Sequence, residues 1–151
     1  MKYIKNLIKN CKIAINAKPD RVFILKDIAD LKDINKAIYI IRQKNGNPVD
    51  TFNKLSEYKK KKQRACPRLN SPCEIMYVGS SCTGLKSRIL QHKGNGPTMT
   101  YSLNLCHWFT GDYEIEIRTY DVSDEILQII EDALSYEMSP AFGKRGPSVS
   151  R

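Results

Sequence analysis

The amino-acid sequence predicts an α+β domain in which helices flank a small three-stranded antiparallel sheet. Three short runs rich in β-branched and aromatic residues, at about 37–41, 75–79 and 113–120, predict the strands. The segments around them space their apolar residues as the buried face of a helix does. The elements follow the order helix, strand, helix, strand, helix, helix, strand, helix, which favours the α+β class. At 151 residues the chain has the length of one domain with a real core.

The first predicted element is an N-terminal helix over about residues 2–16, whose lysines lie off an apolar face. The apolar positions, at i, i+3, i+4 and i+7 spacing, are Ile4, Leu7, Ile8, Cys11 and Ala14. Proline and aspartate at 19–20 end the pattern. Residues 22–33 then predict a short strand or turn that leads into a brief helix at about 27–31. We assign residues 1–36 to a helical extension packed on the core.

The first strand, at 37–41, is a continuous apolar run, which indicates burial on both faces. Glycine, asparagine and proline at 46–48 end it. Residues 50–64 predict a helix with a basic run at its end. We interpret residues 43–74 as an insertion between the first two strands.

The second strand, at 75–79, ends on a glycine and leads directly into a helix over 84–93. Thr83 is the predicted N-cap, and the Gly94-Asn95-Gly96 sequence is a strong stop signal. A further helix is predicted over 101–109.

The third strand, at 113–120, shows alternating apolar and polar residues. Ser123 is the predicted N-cap of a last helix that runs to about Met138. Pro140 and Gly143 end that helix and, with it, the main predicted domain.

The net charge of +9 indicates a polyanionic partner. Residues 1–75 carry 18 lysines and arginines against 7 acidic residues, whereas residues 76–151 carry 7 against 9. The N-terminal half therefore holds most of the positive charge available for phosphates. Charge alone is equally compatible with RNA binding or with solubility, and it says nothing about chemistry.

The cysteines and the hydropathy pattern indicate a soluble, cytoplasmic protein with no membrane partner. The five cysteines are odd in number and are spaced neither as a disulfide scaffold nor as a CxxC metal site. No segment approaches the ~18 continuous apolar residues of a membrane-spanning helix. Lysines at 5, 9 and 12 interrupt the apolar residues of the first 17 positions, which argues against an export signal.

Two predicted strands each present a tyrosine, in Ala37-Ile38-Tyr39 and Tyr77-Val78-Gly79, and the next helix carries Arg88 and His92. This order resembles the GIY-YIG nuclease superfamily. In that family, a tyrosine on each motif strand, an arginine on the next helix and a glutamate on a later helix surround one divalent metal. A histidine often follows the arginine by one turn. The resemblance implies a nuclease domain over residues 37–143.

The candidate glutamate is Glu131, because Glu131-Asp132-Ala133-Leu134 followed by Pro140 resembles the family's Glu-x-x-Leu stretch before a proline. The resemblance implies that Glu131 is the protein ligand of one Mg²⁺ or Mn²⁺ ion per active site. It also implies the full set of catalytic residues, which is Tyr39, Tyr77, Arg88, His92 and Glu131.

The sequence departs from the family pattern at several positions. Ala37 stands where the family usually has glycine, and Val78 stands for isoleucine. The two motif tyrosines are separated by 37 residues, more than in the simplest members. Relatives often carry an asparagine after the proline, whereas this chain reaches Gly143, so that role is unassigned.

Helix geometry is consistent with these assignments. Arg88 and His92 are i, i+4 neighbours beside an apolar stripe that includes Ile89, so both point towards the sheet. There, an arginine can bind two phosphate oxygens as a fork. Glu131 lies at the edge of the apolar stripe of the last helix, from which a carboxylate can reach a cleft. The competing interpretations are an ordinary ion pair for the arginine and a solvated surface acid for the glutamate.

Phosphodiester hydrolysis requires a deprotonated nucleophile, neutralisation of the phosphoryl charge and help for the leaving oxygen. Tyr77 is the general-base candidate, and it needs help from Arg88 or the metal because a phenol is mostly protonated at neutral pH. Tyr39 is expected to orient rather than react. His92 is expected either to hydrogen-bond the nucleophile or a phosphate, or to be a structural residue.

The basic residues are candidates for contacts with the phosphates of duplex DNA. They comprise the lysine run of the insertion, its two following arginines, the lysines of the helix over 84–93 and the start of the basic tail at 144–151. In order they are Lys59, Lys60, Lys61, Lys62, Arg64, Arg68, Lys86, Lys93, Lys144 and Arg145. A solvated helix face is the alternative for the lysine run.

The sequence therefore predicts a metal-dependent DNA endonuclease. Restriction-type cutting is the first subclass, because insertions at this place are known in the restriction branch of the superfamily. Repair, recombination or mobile-element nucleases are further subclasses, and a homodimer would allow both strands to be cut. The alternatives are a nucleic-acid-binding module that has lost turnover and a protein-binding module with a basic surface.

Overall fold

The chain folds as a four-stranded antiparallel sheet between helices, in a computed structural model that describes residues 1–147. The strands are β1 (Arg21–Ile24), β2 (Ala37–Gln43), β3 (Ile75–Ser81) and β4 (Tyr113–Thr119). The helices are α1 (Lys2–Asn16), α2 (Pro48–Lys60), α3 (Leu85–Lys93) and α4 (Asp124–Met138). Single 3-10 turns occupy Ile28–Leu31 and Leu105–His107. The α+β class with an antiparallel sheet is confirmed. Residues 148–151, the end of the predicted basic tail, lie outside the described residues.

The sheet has one strand more than the three predicted. Its order is β1-β4-β2-β3, and each neighbouring pair is antiparallel. The additional strand, β1, lies where the sequence predicts a short strand or turn, in the segment 1–36 that was assigned to a helical extension, and it pairs with β4. Its four residues are mostly exposed at the edge of the sheet.

Strand β2 lies between β4 and β3 and is buried on both faces, as predicted. Ile38 and Ile40 pack in a cluster with Leu127 of α4. Tyr39, on the opposite face, packs in a second cluster with Leu85 of α3. Since side chains alternate between the two faces of a strand, β2 ties both halves of the core together.

Two local predictions around α3 differ from the structure. The N-cap of α3 is Gly84 and not Thr83, and the Gly84 N–H donates to Ser81 Oγ at 3.1 Å. The helix predicted over 101–109 is reduced to a single 3-10 turn. Asn104 ends any helix there, because its φ of +53° lies in the left-handed region.

The remaining helices begin or pack as their sequences suggest. Ser123 caps α4, where its Oγ accepts a hydrogen bond from the Ile126 N–H at 3.3 Å. Helix α2 contributes Leu55 and Tyr58 to the core, so the segment 43–74 is built into the fold. None of the helices in the described part of the chain has the length and apolarity that crossing a bilayer requires. All five cysteines are unpaired.

Candidate active site

A cleft lies at the open side of β3, which is an edge strand of the sheet. The start of β3 is covered, because the N–H groups of Ala141 and Phe142 donate to Ile75 O at 2.8 Å and Met76 O at 3.0 Å. Beyond these bonds, β3 and α4 enclose a cavity of about 500 Å³. Its lining includes Tyr77, Ser80, Gln128, Glu131, Asp132 and Lys144. The cleft thus brings Tyr77 and Glu131 to one place.

Tyr39 lies in the interior beside this cleft, with 1% of its surface exposed. Its Oη accepts a hydrogen bond from Arg88 Nε at 3.2 Å and is 2.9 Å from His92 Nε2. Its ring is parallel to that of Tyr77, with centroids 6.2 Å apart. Burial raises the pKa of Tyr39, and neighbouring Tyr77 raises it further, whereas Arg88 opposes the shift. Tyr39 therefore stays a phenol at neutral pH.

Gly79 leaves the space that the Tyr39 ring fills. The two residues are paired across β2 and β3, and a Cβ at Gly79 would lie 2.4 Å from Tyr39 Oη. We expect Gly79→Ala to displace the Tyr39 hydroxyl and to lower the free energy of unfolding by about 1–3 kcal/mol. Chemical denaturation measures this loss. Gly84→Ala is the matched control, since a Cβ there meets only Ser87 Cβ at 3.9 Å, and equal losses in both variants would contradict the packing described.

His92 is completely buried, and both of its ring nitrogens are engaged. The Leu103 N–H donates to His92 Nδ1 at 3.1 Å, so the ring proton is on Nε2, which donates to Tyr39 Oη. Burial and the nearby Arg88 guanidinium lower the pKa of His92 well below its ordinary value, so the ring is neutral. His92 contacts Tyr39 from the interior and has no exposed surface. Of the two predicted roles, a structural residue or a hydrogen-bond partner of the nucleophile or phosphate, this geometry favours the structural one.

The buried neutral histidine makes stability depend on pH. Below pH 6.5 the unfolded chain protonates His92 and the folded chain does not, so stability is retained above this pH and lost as the pH falls. From pH 6.5 to 5.5 we expect a loss of about 1 kcal/mol that His92→Gln abolishes. Denaturation at both pH values measures it. His107→Gln is the control, and its free energy of unfolding should still fall between the two pH values. If the free energy of unfolding of His92→Gln fell as much as that of the wild type, the assignment to His92 would be contradicted.

Arg88 connects the two tyrosines. Its Nε donates to Tyr39 Oη and its Nη2 donates to Tyr77 Oη, each at 3.2 Å. The Nη2 group also donates to Tyr101 O at 3.0 Å, and Nη1 donates to Gln91 Oε1 at 2.9 Å. The guanidinium is thereby held with its plane fixed. The predicted fork would use Nη2 to bind a phosphate oxygen. That oxygen would have to replace the Tyr101 carbonyl, which now accepts the Nη2 hydrogen bond.

Tyr77 is the tyrosine of the pair that reaches the cavity. Its ring packs on His92 with centroids 4.4 Å apart, and Arg88 holds its hydroxyl. Gly143, at φ +87°, passes close to the ring, and a Cβ there would lie 2.6 Å from it. The backbone after α4 therefore fixes the position of Tyr77 from the other side.

Glu131 projects from α4 into the same cavity and is 6% exposed, so it is not a solvated surface acid. Gln128 Nε2 donates to Glu131 Oε2 at 2.8 Å and to Asp132 Oδ1 at 2.9 Å. The Lys144 ammonium forms ion pairs with both carboxylates. Two acidic groups thus converge on one cation.

The carboxylates fit a hard divalent ion. Mg²⁺ and Mn²⁺ prefer oxygen ligands, and Mg²⁺ is commonly held by one or two carboxylates while it keeps several waters. Among residues 1–147 there is no group of three or more histidine, cysteine or acidic side chains that could enclose a metal. Glu131, the predicted ligand, would hold such an ion with water as its other ligands.

The basic residues predicted to contact DNA fall into three groups. Lys59 donates to Pro67 O and Arg64 donates to Gly96 O, both at 2.9 Å, so these two hold the chain together. The others that are exposed, and so can meet a phosphate, are Lys60, Lys61, Lys62, Arg68, Lys86 and Arg145. Lys93 is half-buried, and Lys144 is paired with Glu131.

Sequence reasoning missed the partners of Glu131. Gln128 precedes Glu131 by three residues and Asp132 by four on α4, so one amide can bond both carboxylates. This spacing is the signal that could have identified the partners. The segment after Pro140 is held by Asn70, whose Nδ2 donates to Pro140 O at 3.0 Å and Gly143 O at 2.9 Å. No local pattern indicates that long-range contact.

A scan against protein-family models found no match to this chain, and searches of curated proteins and of solved structures found none either. The candidate site therefore rests on its residues and their geometry. Membership of the GIY-YIG superfamily stays a prediction.

Proposed function

We propose that this protein is a metal-dependent endonuclease that hydrolyses phosphodiester bonds in DNA, with a GIY-YIG-like site. The observation that carries the proposal is one hydrogen-bonded cluster. Tyr39, Tyr77, Arg88 and His92 come from β2, β3 and α3, and they meet beside the cavity into which Glu131 projects from α4. A half-buried arginine between two phenols and an acid in an adjoining cleft is a typical setting for charge-stabilised hydrolysis.

The roles follow from exposure and contacts. Tyr77 reaches the cavity, so its hydroxyl can orient an attacking water, and in its ionised form its oxygen can accept the proton of that water. Arg88 stabilises negative charge on that hydroxyl and on the phosphoryl group. Tyr39 and His92 position the guanidinium and the Tyr77 ring. Mg²⁺ or Mn²⁺ at Glu131 would supply charge neutralisation at the phosphate and help for the leaving oxygen.

The basic surface next to the cleft supports DNA as the substrate. Arg68 and Arg145 line a common cavity, and the Arg68 carbonyl accepts a hydrogen bond from the Gly143 N–H at 2.9 Å. Arg145 thus directly follows Lys144 in the chain, and Arg68 contacts the same segment from the loop before β3. Binding of duplex DNA should weaken steeply with salt, because phosphate contacts release counterions. One site cuts one strand, so restriction-type cleavage would require a homodimer.

A nucleic-acid-binding module without turnover is the second candidate. The Lys144 ammonium already neutralises part of the charge on Glu131 and Asp132, which favours a chain that holds no metal. Such a protein would bind duplex DNA in a salt-dependent way and would cut nothing.

Nicking of supercoiled plasmid tests the proposal. We expect cutting with Mg²⁺ or Mn²⁺, none after chelation with EDTA, and recovery when the ion is added back in excess. Filter binding at increasing salt, run in parallel, separates the candidates. Salt-sensitive DNA binding without nicking under any metal would support the silent module, and cutting that survives chelation would overturn the metal requirement.

A further inference from the structure

The second acid and the lysine of the cleft are not explained by the proposed chemistry. Lys144 Nζ contacts a Glu131 carboxylate oxygen and lies 2.5 Å from Asp132 Oδ1. We propose that Lys144 occupies the cation position of the cleft, and that a divalent metal binds Glu131 and Asp132 by displacing it. This inference rests on the proposed function.

The charges in the cleft favour replacement of the Lys144 ammonium by a divalent ion. Glu131 and Asp132 carry two negative charges, of which one ammonium compensates one. Their side chains are 8% and 22% exposed, and that of Lys144 is 23% exposed, so solvent screens the group only in part. A divalent ion neutralises both carboxylates. Gln128 donates to both and holds them in place whichever cation is present.

The backbone around Lys144 is anchored on both sides. The Gly143 N–H donates to Arg68 O and the Gly146 N–H donates to Ser135 Oγ, each at 2.9 Å. Lys144 lies between these bonds on a four-carbon stem. The Lys144 ammonium contacts both carboxylates, so it is placed to compete with a metal ion for them.

Mn²⁺ binding tests the competition without reference to cutting. We expect Lys144→Met to bind Mn²⁺ about tenfold more tightly than the wild type, or more, as measured by the electron paramagnetic resonance of free Mn²⁺. Lys36→Met is the matched control. Lys36 pairs at 3.0 Å with Asp124, which is on α4 like Glu131 but lies outside the cleft. Equal or weaker binding by Lys144→Met, or no binding by either protein, would overturn the proposal.

A second readout uses the wild-type chain and does not depend on how the variant folds. Mn²⁺ should increase acetylation of Lys144 by acetic anhydride several-fold in a mass-spectrometric assay, while Lys36 stays unchanged. A reactivity of Lys144 that Mn²⁺ leaves unaltered would also overturn the displacement. Plasmid nicking without any change in the reactivity of Lys144 would refute the displacement of Lys144 and leave the nuclease proposal standing. Displacement of Lys144 without nicking would refute the nuclease proposal and leave the displacement standing.

Discussion

Replacement of Glu131 by glutamine is expected to reduce Mg²⁺-dependent plasmid nicking by more than about 100-fold. Even outer partners of a metal site typically contribute 10–100-fold, and Glu131 is the proposed ligand itself. The amide keeps the size of the side chain but removes its charge. Because Asp132 still pairs with Lys144, the cleft should stay folded. Initial nicking rates and a thermal melt of both proteins measure the two effects.

Glu57→Gln is the control for this experiment. Glu57 is 70% exposed and pairs with Lys60 on α2, away from the cleft. The control should nick at the wild-type rate. Equal rates for wild type and Glu131→Gln would remove the basis for a metal-dependent site on α4.

Replacement of Arg88 by lysine is the second change with a large expected effect, a loss of about 100- to 1,000-fold in nicking rate. The guanidinium reaches Tyr39, Tyr77 and the Tyr101 carbonyl at once. A lysine ammonium retains the charge but lacks the planar fork, so it cannot hold both phenols and a phosphate. Single-turnover nicking at saturating protein separates this loss of catalysis from weaker DNA binding.

Arg42→Lys is the matched control for Arg88. Arg42 is also partly buried and pairs with Glu116 at 3.0 Å, on the sheet and outside the cleft. We expect this variant to nick as the wild type does. A similar loss in Arg42→Lys and Arg88→Lys would indicate a general effect of stability, which would contradict a specific role for Arg88.

Much of the candidate site could be predicted because its residues are close along the chain or on paired strands. Tyr39 and Tyr77 lie on neighbouring strands, and α3 follows β3 after a short turn, so Arg88 and His92 must return to the same sheet. The apolar pattern of β2 and the Ser123 cap of α4 are local signals as well.

The rest could not be predicted because it depends on contacts between distant segments. The sequence left open whether the segment after residue 21 forms a strand or a turn, and the pairing of β1 with β4 decides for the strand. The sequence predicts Lys144 as a phosphate contact in a basic tail, whereas the turn after α4 directs it onto Glu131 and Asp132. The sequence likewise predicts Arg64 as a phosphate contact, whereas its bond to Gly96 O draws it into the fold. Sequence patterns indicate the buried faces of helices and strands and the positions of turns, but they do not indicate which distant residue pairs with a charged side chain.

We propose that a phenol, a guanidinium and a carboxylate from three elements converge at one metal site. A crystal structure of the protein soaked in Mn²⁺, with anomalous scattering used to locate the metal, would show whether they do. We predict one manganese bound to the Glu131 carboxylate on the side facing Tyr77, with Lys144 moved away. Glu131 still paired with Lys144 and no manganese in the cleft would contradict the account.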